Sequence, residues 1–254
     1  MKYTFDWKEY AKTARATVAE GCVLLRNEEE VLPIKEGTVV SVFGRNQFNY
    51  FKSGTGSGGM VNTPYEVSVL DALKEENIVL NNTLQGIYEE WLKDHPFDKG
   101  VGWANEPWCQ EEMELTEDIV AKAAEDSDMA LVMIGRTAGE DRDNYAGEGS
   151  YYLTQTEESM LRLVCKTFSR VAVILNVGNL IDMNFVEKYH PQAVMYIWQG
   201  GMEGGHGVAD LLLGRVAPSG HLTDTIAYSI EDYPSTANFG NDDTNIYEED
   251  IYVG

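Results

Sequence analysis

The sequence is poor in cysteine, histidine and basic residues, and each shortage argues against a class of protein. Three cysteines are an odd number without metal-ligand spacing, which is typical of reduced core or boundary residues. Four histidines are scattered and do not have the spacing of a metal site either. Only 19 Lys and Arg stand against 42 Asp and Glu, and the net charge of −23 argues against binding nucleic acid or anionic membranes.

Long apolar runs are also missing. No run approaches the length of a membrane span, and residues 1–7 do not form an apolar signal region. We therefore expect a soluble, cytoplasmic protein that does not contact the membrane. What is present is an apolar fraction of 43% with five tryptophans, which indicates a folded chain with a sizeable core.

Apolar runs alternate with amphipathic helical patterns along the chain. Runs at 38–43, 78–80, 129–134, 171–177 and 193–198 predict strands, and 222–226 is a candidate sixth strand. Helices are predicted at 8–26, 65–74, 83–94, 116–125, 182–189 and 206–213, with another from Thr154, where Thr154 and Glu157 suggest a capping box. This alternation predicts an α/β fold, a single doubly wound three-layer α/β/α sandwich with a mainly parallel sheet of five to six strands. We expect the sandwich to span 1–234 and a polar exit segment, leading to further domains, to span 235–254.

A long charged loop, residues 135–153, follows the strand at 129–134. It carries two arginines and four carboxylates: Arg136, Arg142, Glu140, Asp141, Asp143 and Glu148. Strand-to-helix connections usually need only a few residues, and open α/β sheets bind ligands beyond the carboxyl ends of their strands. The loop is either a solvated acidic surface or a polar site, and the arginines among the acids favour a site. Because loop 45–64 also follows a strand, we expect Gly56 and Glu140 to meet at one sheet edge.

Several other chemistries fit the sequence poorly. Residues 54–59 satisfy G-x-G-x-x-G but lie ten positions past Gly44, not directly after the strand, and Pro64 follows closely. The acidic residues from Asp141 onwards lack the glycine and final glutamate of a calcium loop, and no G-x-S-x-G elbow is present. We therefore expect no cofactor and no metal, and paired carboxylates for acid–base chemistry remain. Two tryptophans in the irregular segment 94–113 either stack on a sugar or base, or pack that segment onto the domain.

The order of several short motifs is specific where each alone is weak. They are residues 19–27 with 32–34, 42–46, 53–58, 133–136, 199–205, 211–222 and 247–254. In this order the chain resembles the α/β sandwich domain of glycoside hydrolase family 3, the β-glucosidase family. The resemblance implies a retaining glycosidase that acts on a β-linked glucoside or oligosaccharide. Its nucleophilic Asp would lie on a β/α barrel of the same polypeptide, in a member with reversed domain order.

The resemblance also selects a residue where electrostatics does not. Asp141 and Asp143 would raise the pKa of a neighbouring glutamate, whereas Arg136 and Arg142 would lower it. The family's acid/base glutamate follows a glycine soon after this strand, and Gly139-Glu140 matches that placement. Glu148 more resembles a later glutamate that anchors the loop onto the next helix.

Substrate contacts are expected from the charged loop and from loop 45–64, which we call the glycine-rich loop. The residues concerned are Arg136, Asp141, Arg142, Glu148, Gly56 and Ser57. Because the nucleophile would lie elsewhere, these residues alone are expected to be inactive. The alternative is a carbohydrate-binding or regulatory α/β module without catalytic activity of its own.

Overall fold

The computed structural model describes residues 4–252 except 77, 242, 245 and 247. Within this part, strands β1 to β6 span Val23–Asn27, Val39–Phe43, Val79–Leu80, Met129–Arg136, Val171–Val177 and Ala193–Tyr196. Helices α1 to α8 span Trp7–Gly21, Gly56–Gly59, Val69–Glu75, Asn82–Asp94, Glu117–Glu125, Gln155–Thr167, Asn184–Tyr189 and Gly204–Leu212. The predicted alternation of strands and helices is therefore present.

The six strands form one sheet in the order β1-β6-β5-β4-β2-β3. β1 is antiparallel to β6, and every other neighbouring pair is parallel. Successive side chains of β4 point to opposite faces, so that Leu131 joins a core with α1, α3 and α8 whereas Val132 joins a core with α4 to α7. Helices thus cover both faces, and the predicted mainly parallel three-layer α/β/α sandwich is confirmed.

Two predicted helix starts are confirmed by their caps. The Thr116 side chain accepts a hydrogen bond from the Ile119 N–H at the start of α5. At the start of α6, Thr154 and Glu157 form the expected reciprocal capping box. The second cap fixes the end of the charged loop, because Thr154 is the residue at which that loop meets the helix.

The predicted helix over 8–26 is too long. It ends at Gly21, and Cys22 leaves it with an extended backbone at φ −69° and ψ 142°. Residues Val23–Asn27 instead pair with β6 as the antiparallel edge strand β1. Leu25, within the predicted helix, lies on this strand and is 37% exposed.

The candidate strand at 222–226 is wrong, since these residues form no strand and β1 takes the place beside β6. The helix predicted at 65–74 begins only at Val69, where the extended Ser68 caps it through the Asp71 N–H. In the proposed exit segment, residues 242, 245, 247, 253 and 254 lie outside the described part. The domain boundary at 234 therefore stays a prediction.

Candidate active site

Two loops meet beyond the carboxyl ends of β2 and β4. The Thr55 N–H donates to the Ala138 carbonyl at 2.9 Å, and the Thr55 hydroxyl donates to the Glu140 carbonyl at 2.9 Å. Gly56 lies so close that a Cβ there would be 2.5 Å from the Glu140 Cβ. The expected meeting of Gly56 and Glu140 at one sheet edge is thus present.

Glu140 presents its carboxylate at the surface of this junction. Its Oε2 accepts from the Ser57 N–H at 2.9 Å and from the Ser57 hydroxyl at 2.8 Å. These bonds, first the backbone one and then the side-chain one, hold the pKa of the carboxyl below its usual range. In this conformation Glu140 is an ionised, exposed carboxylate that two donors orient.

Arg136, expected to contact substrate, lies inside the domain. Its side chain is fully buried, and its two terminal nitrogens each lie 2.6 Å from a carboxylate oxygen of Glu157 on α6. Burial lowers the pKa of the guanidinium, but the Glu157 charge and its hydrogen bonds outweigh burial and raise it. Arg136 therefore ties β4 to α6 and does not face the surface where Glu140 lies.

The glutamate that anchors the charged loop onto the next helix is Glu157, so the expectation that Glu148 does this is wrong. Glu148 is exposed, and its carboxylate has no hydrogen-bond partner among the described residues. Glu157 occupies the third position of α6, where its Oε2 accepts from the Thr154 N–H at 2.8 Å as well as from Arg136. The capping box was visible in the sequence, but the buried arginine partner was not.

The irregular segment 95–113 packs onto the charged loop through both tryptophans in question. The Trp103 indole N–H donates to the Asp141 carboxylate at 3.1 Å, and that of Trp108 donates to the Asp143 carbonyl at 3.1 Å. The Arg142 guanidinium lies 4.3 Å from the Trp108 ring centroid, a cation–π contact. Of the two sequence interpretations, packing therefore applies to both tryptophans, although Trp103 remains 50% exposed beside Asp141.

Asn176, near the end of β5, holds the glycine-rich loop from below. Its side-chain oxygen accepts from the Phe51 N–H at 2.7 Å, and its nitrogen donates to the Phe51 carbonyl at 3.0 Å. The same nitrogen donates to the Trp198 carbonyl at 2.6 Å. Asn176 is not among the residues predicted from the sequence, although a lone amide within the apolar run 171–177 was a signal for it.

Glu140, Asp141 and Glu148 of the candidate site are exposed to solvent. A groove of about 1010 Å³, lined by residues such as Leu25, Met183 and Leu222, lies at the β1 edge and includes none of the candidate residues. In the part of the chain that the structure describes, no group of three or more His, Cys, Asp or Glu side chains could hold a metal ion. Nor is any helix there long and apolar enough to cross a membrane.

Comparison with known proteins identifies the family of this chain. The sequence profile of the glycosyl hydrolase family 3 C-terminal domain matches residues 22–254. The chain belongs to this family. Glycosyl hydrolase family 3 membership confirms the resemblance drawn from the short motifs.

Individual beta-glucosidases are similar to this chain over almost its whole length. The Beta-glucosidase of Ruminococcus albus is 53% identical over 249 residues, which are 98% of this chain and 26% of that protein. A crystal structure of a beta-glucosidase from Paenibacillus barengoltzii has a TM-score of 0.94 at 55% identity and covers 98% of this chain and 28% of its own. Beta-glucosidase 3B from Thermotoga neapolitana, in complex with glucose, has a TM-score of 0.87 at 34% identity, covering 98% and 36%. The chain thus spans between a quarter and two fifths of the length of these relatives.

Proposed function

We propose that this chain is the sandwich domain of a retaining β-glycosidase of the β-glucosidase type and that Glu140 is its general acid/base. The observation that carries the proposal is the placement of Glu140 at the meeting of two strand-end loops, exposed and oriented by Ser57. Glu148 lacks such orienting donors among the described residues, and Glu157 is buried against Arg136. Of these glutamates, Glu140 combines access to a substrate with a held geometry.

In the proposed reaction Glu140 first gives a proton to the glycosidic oxygen while a carboxylate on a barrel domain attacks the anomeric carbon. The bond to the leaving group breaks, and a covalent glycosyl-enzyme forms. Glu140, now ionised, then takes a proton from water as that water displaces the enzyme carboxylate. We place the barrel and the nucleophile on the rest of a longer polypeptide, because the chain spans between a quarter and two fifths of the length of its relatives.

The held, ionised state of Glu140 suits the second step but not the first. Two donors from Ser57 favour the carboxylate, whereas a general acid must keep its proton near neutral pH. A substrate and a second carboxylate nearby would supply desolvation and negative charge, which both raise the pKa of a carboxyl group. Asp141, Arg142 and Glu148 of the charged loop are proposed to contact the substrate with Ser57 and the Gly56 backbone. Buried Arg136 is left out of that set.

The test uses the full-length enzyme with Glu140→Ala and, as matched control in the same loop, Glu148→Ala. Glu140→Ala should slow glycosides with poor leaving groups by about 100-fold or more, because those need protonation, and slow activated aryl glycosides far less. Azide should restore turnover of the activated substrates, because an anion attacks the glycosyl-enzyme without a general base. If Glu148→Ala shows this pattern and Glu140→Ala does not, the assignment is reversed.

The isolated chain should not hydrolyse aryl β-glucosides, because a retaining site needs a second carboxylate about 5–5.5 Å from the first. Hydrolysis by the purified chain that Glu140→Ala abolishes would show that both carboxylates lie within it.

A second candidate, a carbohydrate-binding module, is favoured by one observation, the half-exposed Trp103 beside Asp141. Saturable sugar binding in a full-length protein that never turns over glycosides would support that alternative.

A further inference from the structure

The turn after β6 is hydrogen-bonded to both ends of the segment 52–67, which contains Ser57. At one end, the Gly201 N–H donates to the Lys52 carbonyl at 2.7 Å. At the other, the Val67 N–H donates to the Met202 carbonyl at 3.0 Å, and the Gly205 N–H donates to the Val67 carbonyl at 3.0 Å. The glycine-rich motif at 199–205 is therefore the base on which residues 52–67 rest.

A cluster of ionisable side chains around buried Glu203 lies at the second of these attachments. Glu203 is 3% exposed, and its Oε1 accepts from the Tyr65 hydroxyl. Its Oε2 lies 2.6 Å from Nδ1 of His206, whose Nε2 lies 2.9 Å from the Glu75 carboxylate on α3. Both ring nitrogens therefore face carboxylates, and only the imidazolium form can donate to both at once.

Other charged groups near this cluster are already paired with one another. One turn beyond His206 along α8, Asp210 is bonded to Arg15 of α1 at 2.5 Å. Glu76, next to Glu75 on α3, pairs with Arg215 and lies 3.7 Å from Arg15. In the segment before α3, Glu66 pairs with Lys52 at 2.9 Å. His206 is thus the cation that faces buried Glu203, with Glu75 on its other side.

We propose that protonated His206 holds Glu203 against Tyr65 and thereby fixes the loop that presents Ser57 to Glu140. Loss of the His206 proton at alkaline pH removes the positive charge beside buried Glu203, weakens the hold of this carboxylate on Tyr65 and frees the loop. His206 and Glu203 are positioning residues, since neither touches Glu140. An effect of this contact on catalysis rests on the function proposed for Glu140. The coupling between the His206 proton and the loop does not depend on that function.

The direction of the pH effect follows from the His206 environment. Burial lowers its pKa, but the bonds to Glu75 and Glu203 outweigh burial and raise the pKa above its usual value of 6.5. A raised folded pKa stabilises the fold most below the unfolded value, and that stability is lost as pH rises through the folded value. The bond to Glu203 raises the pKa of the Tyr65 phenol to about 12, so Tyr65 keeps its proton while His206 titrates.

The test follows the His206 ring and amide hydrogen exchange by NMR across an acid-to-alkaline titration of the 254-residue chain. Protection factors, corrected for intrinsic exchange, should fall about tenfold or more at the hydrogen-bonded amides of Thr55, Ser57 and Val67 with the same midpoint as the His206 ring. In His206→Asn the loop should be poorly protected throughout. His95→Asn is the matched control, because His95 also bonds a glutamate, Glu111 at 2.9 Å, but lies outside this loop.

The proposal would be overturned if the protection of the loop amides did not change at the His206 midpoint. It would also be overturned if the same pH-dependent loss of protection persisted in His206→Asn. If His206→Asn does not fold, Tyr65→Phe takes its place, since this side chain is 42% exposed and the change removes only the phenolic bond. The loop should then lose its transition while the His206 ring still titrates, and a retained transition would exclude the route through Tyr65. Because the measurement does not depend on hydrolysis, it separates this proposal from the assignment of Glu140.

Discussion

Glu140 lies in the charged loop and Glu157 in helix α6, which follows it, and their surroundings are opposite. Glu157 is buried at 5% exposure and pairs with a fully buried arginine through two bonds of 2.6 Å. Glu140 is exposed and bonded by a single serine from another loop. A buried bidentate pair fixes structure, whereas an exposed carboxylate with two neutral donors remains free to exchange them for a substrate. The charged loop is therefore fixed where it meets α6, whereas Glu140 within it is accessible to a substrate.

The largest effect should come from breaking the buried pair. Glu157→Ala leaves the Arg136 charge buried and unpaired, and removing one partner of such a pair costs about 3–5 kcal/mol of unfolding free energy. Urea unfolding of the chain measures this loss. Glu140→Ala, within the charged loop, is the control, and as an exposed change it should alter the unfolding free energy by no more than about 0.5 kcal/mol.

A double variant separates pairing from packing at the same place. Arg136→Met with Glu157→Leu removes both charges and keeps apolar volume, so it should unfold closer to the wild type than Glu157→Ala does. A double variant as unstable as the single one would mean that the cost comes from lost shape and loop contacts, not from an unpaired charge.

A smaller effect is expected where the loops touch at the tip. Gly56 has φ 67°, and an added Cβ would lie 2.7 Å from the Glu140 Oε2. Gly56→Ala should therefore destabilise the chain by about 1–3 kcal/mol and displace the Glu140 carboxylate. Gly58→Ala is the matched control two residues on, because a Cβ there meets nothing within 4 Å. Equal losses in both variants would contradict the close approach of the two loops.

The smallest effect concerns the proton on Glu140. Ser57→Ala removes the hydroxyl donor and keeps the backbone one, so the pKa of Glu140 should rise towards its ordinary value. Because the folded pKa is depressed, the bond's contribution is present above the unfolded pKa and is lost as pH falls through the folded one. Carboxyl NMR titration of the chain measures the midpoint. Ser53→Ala, in the same loop, should leave it unchanged, and an unmoved midpoint in Ser57→Ala would contradict the geometry.

Much of the secondary structure could be predicted from the sequence, but strand β1 could not. The alternation of apolar runs with amphipathic helices predicted the layers, the parallel sheet and most strands, because periodicity is a local property of the chain. The capping box at Thr154 was predicted for the same reason. Strand β1 was missed because Cys22 and Leu25 continued a helical spacing, and only pairing with β6 decides that this segment is a strand.

By itself the sequence determined the fold class, the family resemblance and the place of Gly139-Glu140 after a buried strand, since all of these are readable from neighbouring residues. Only the tertiary structure decided which partners the charged side chains found. Arg136 turns inward to Glu157, Glu140 turns outward to Ser57, and Asn176 holds Phe51, each across many positions of the chain. Spacing carries no record of such pairs, because they arise when separate strand ends come together at one edge of the sheet.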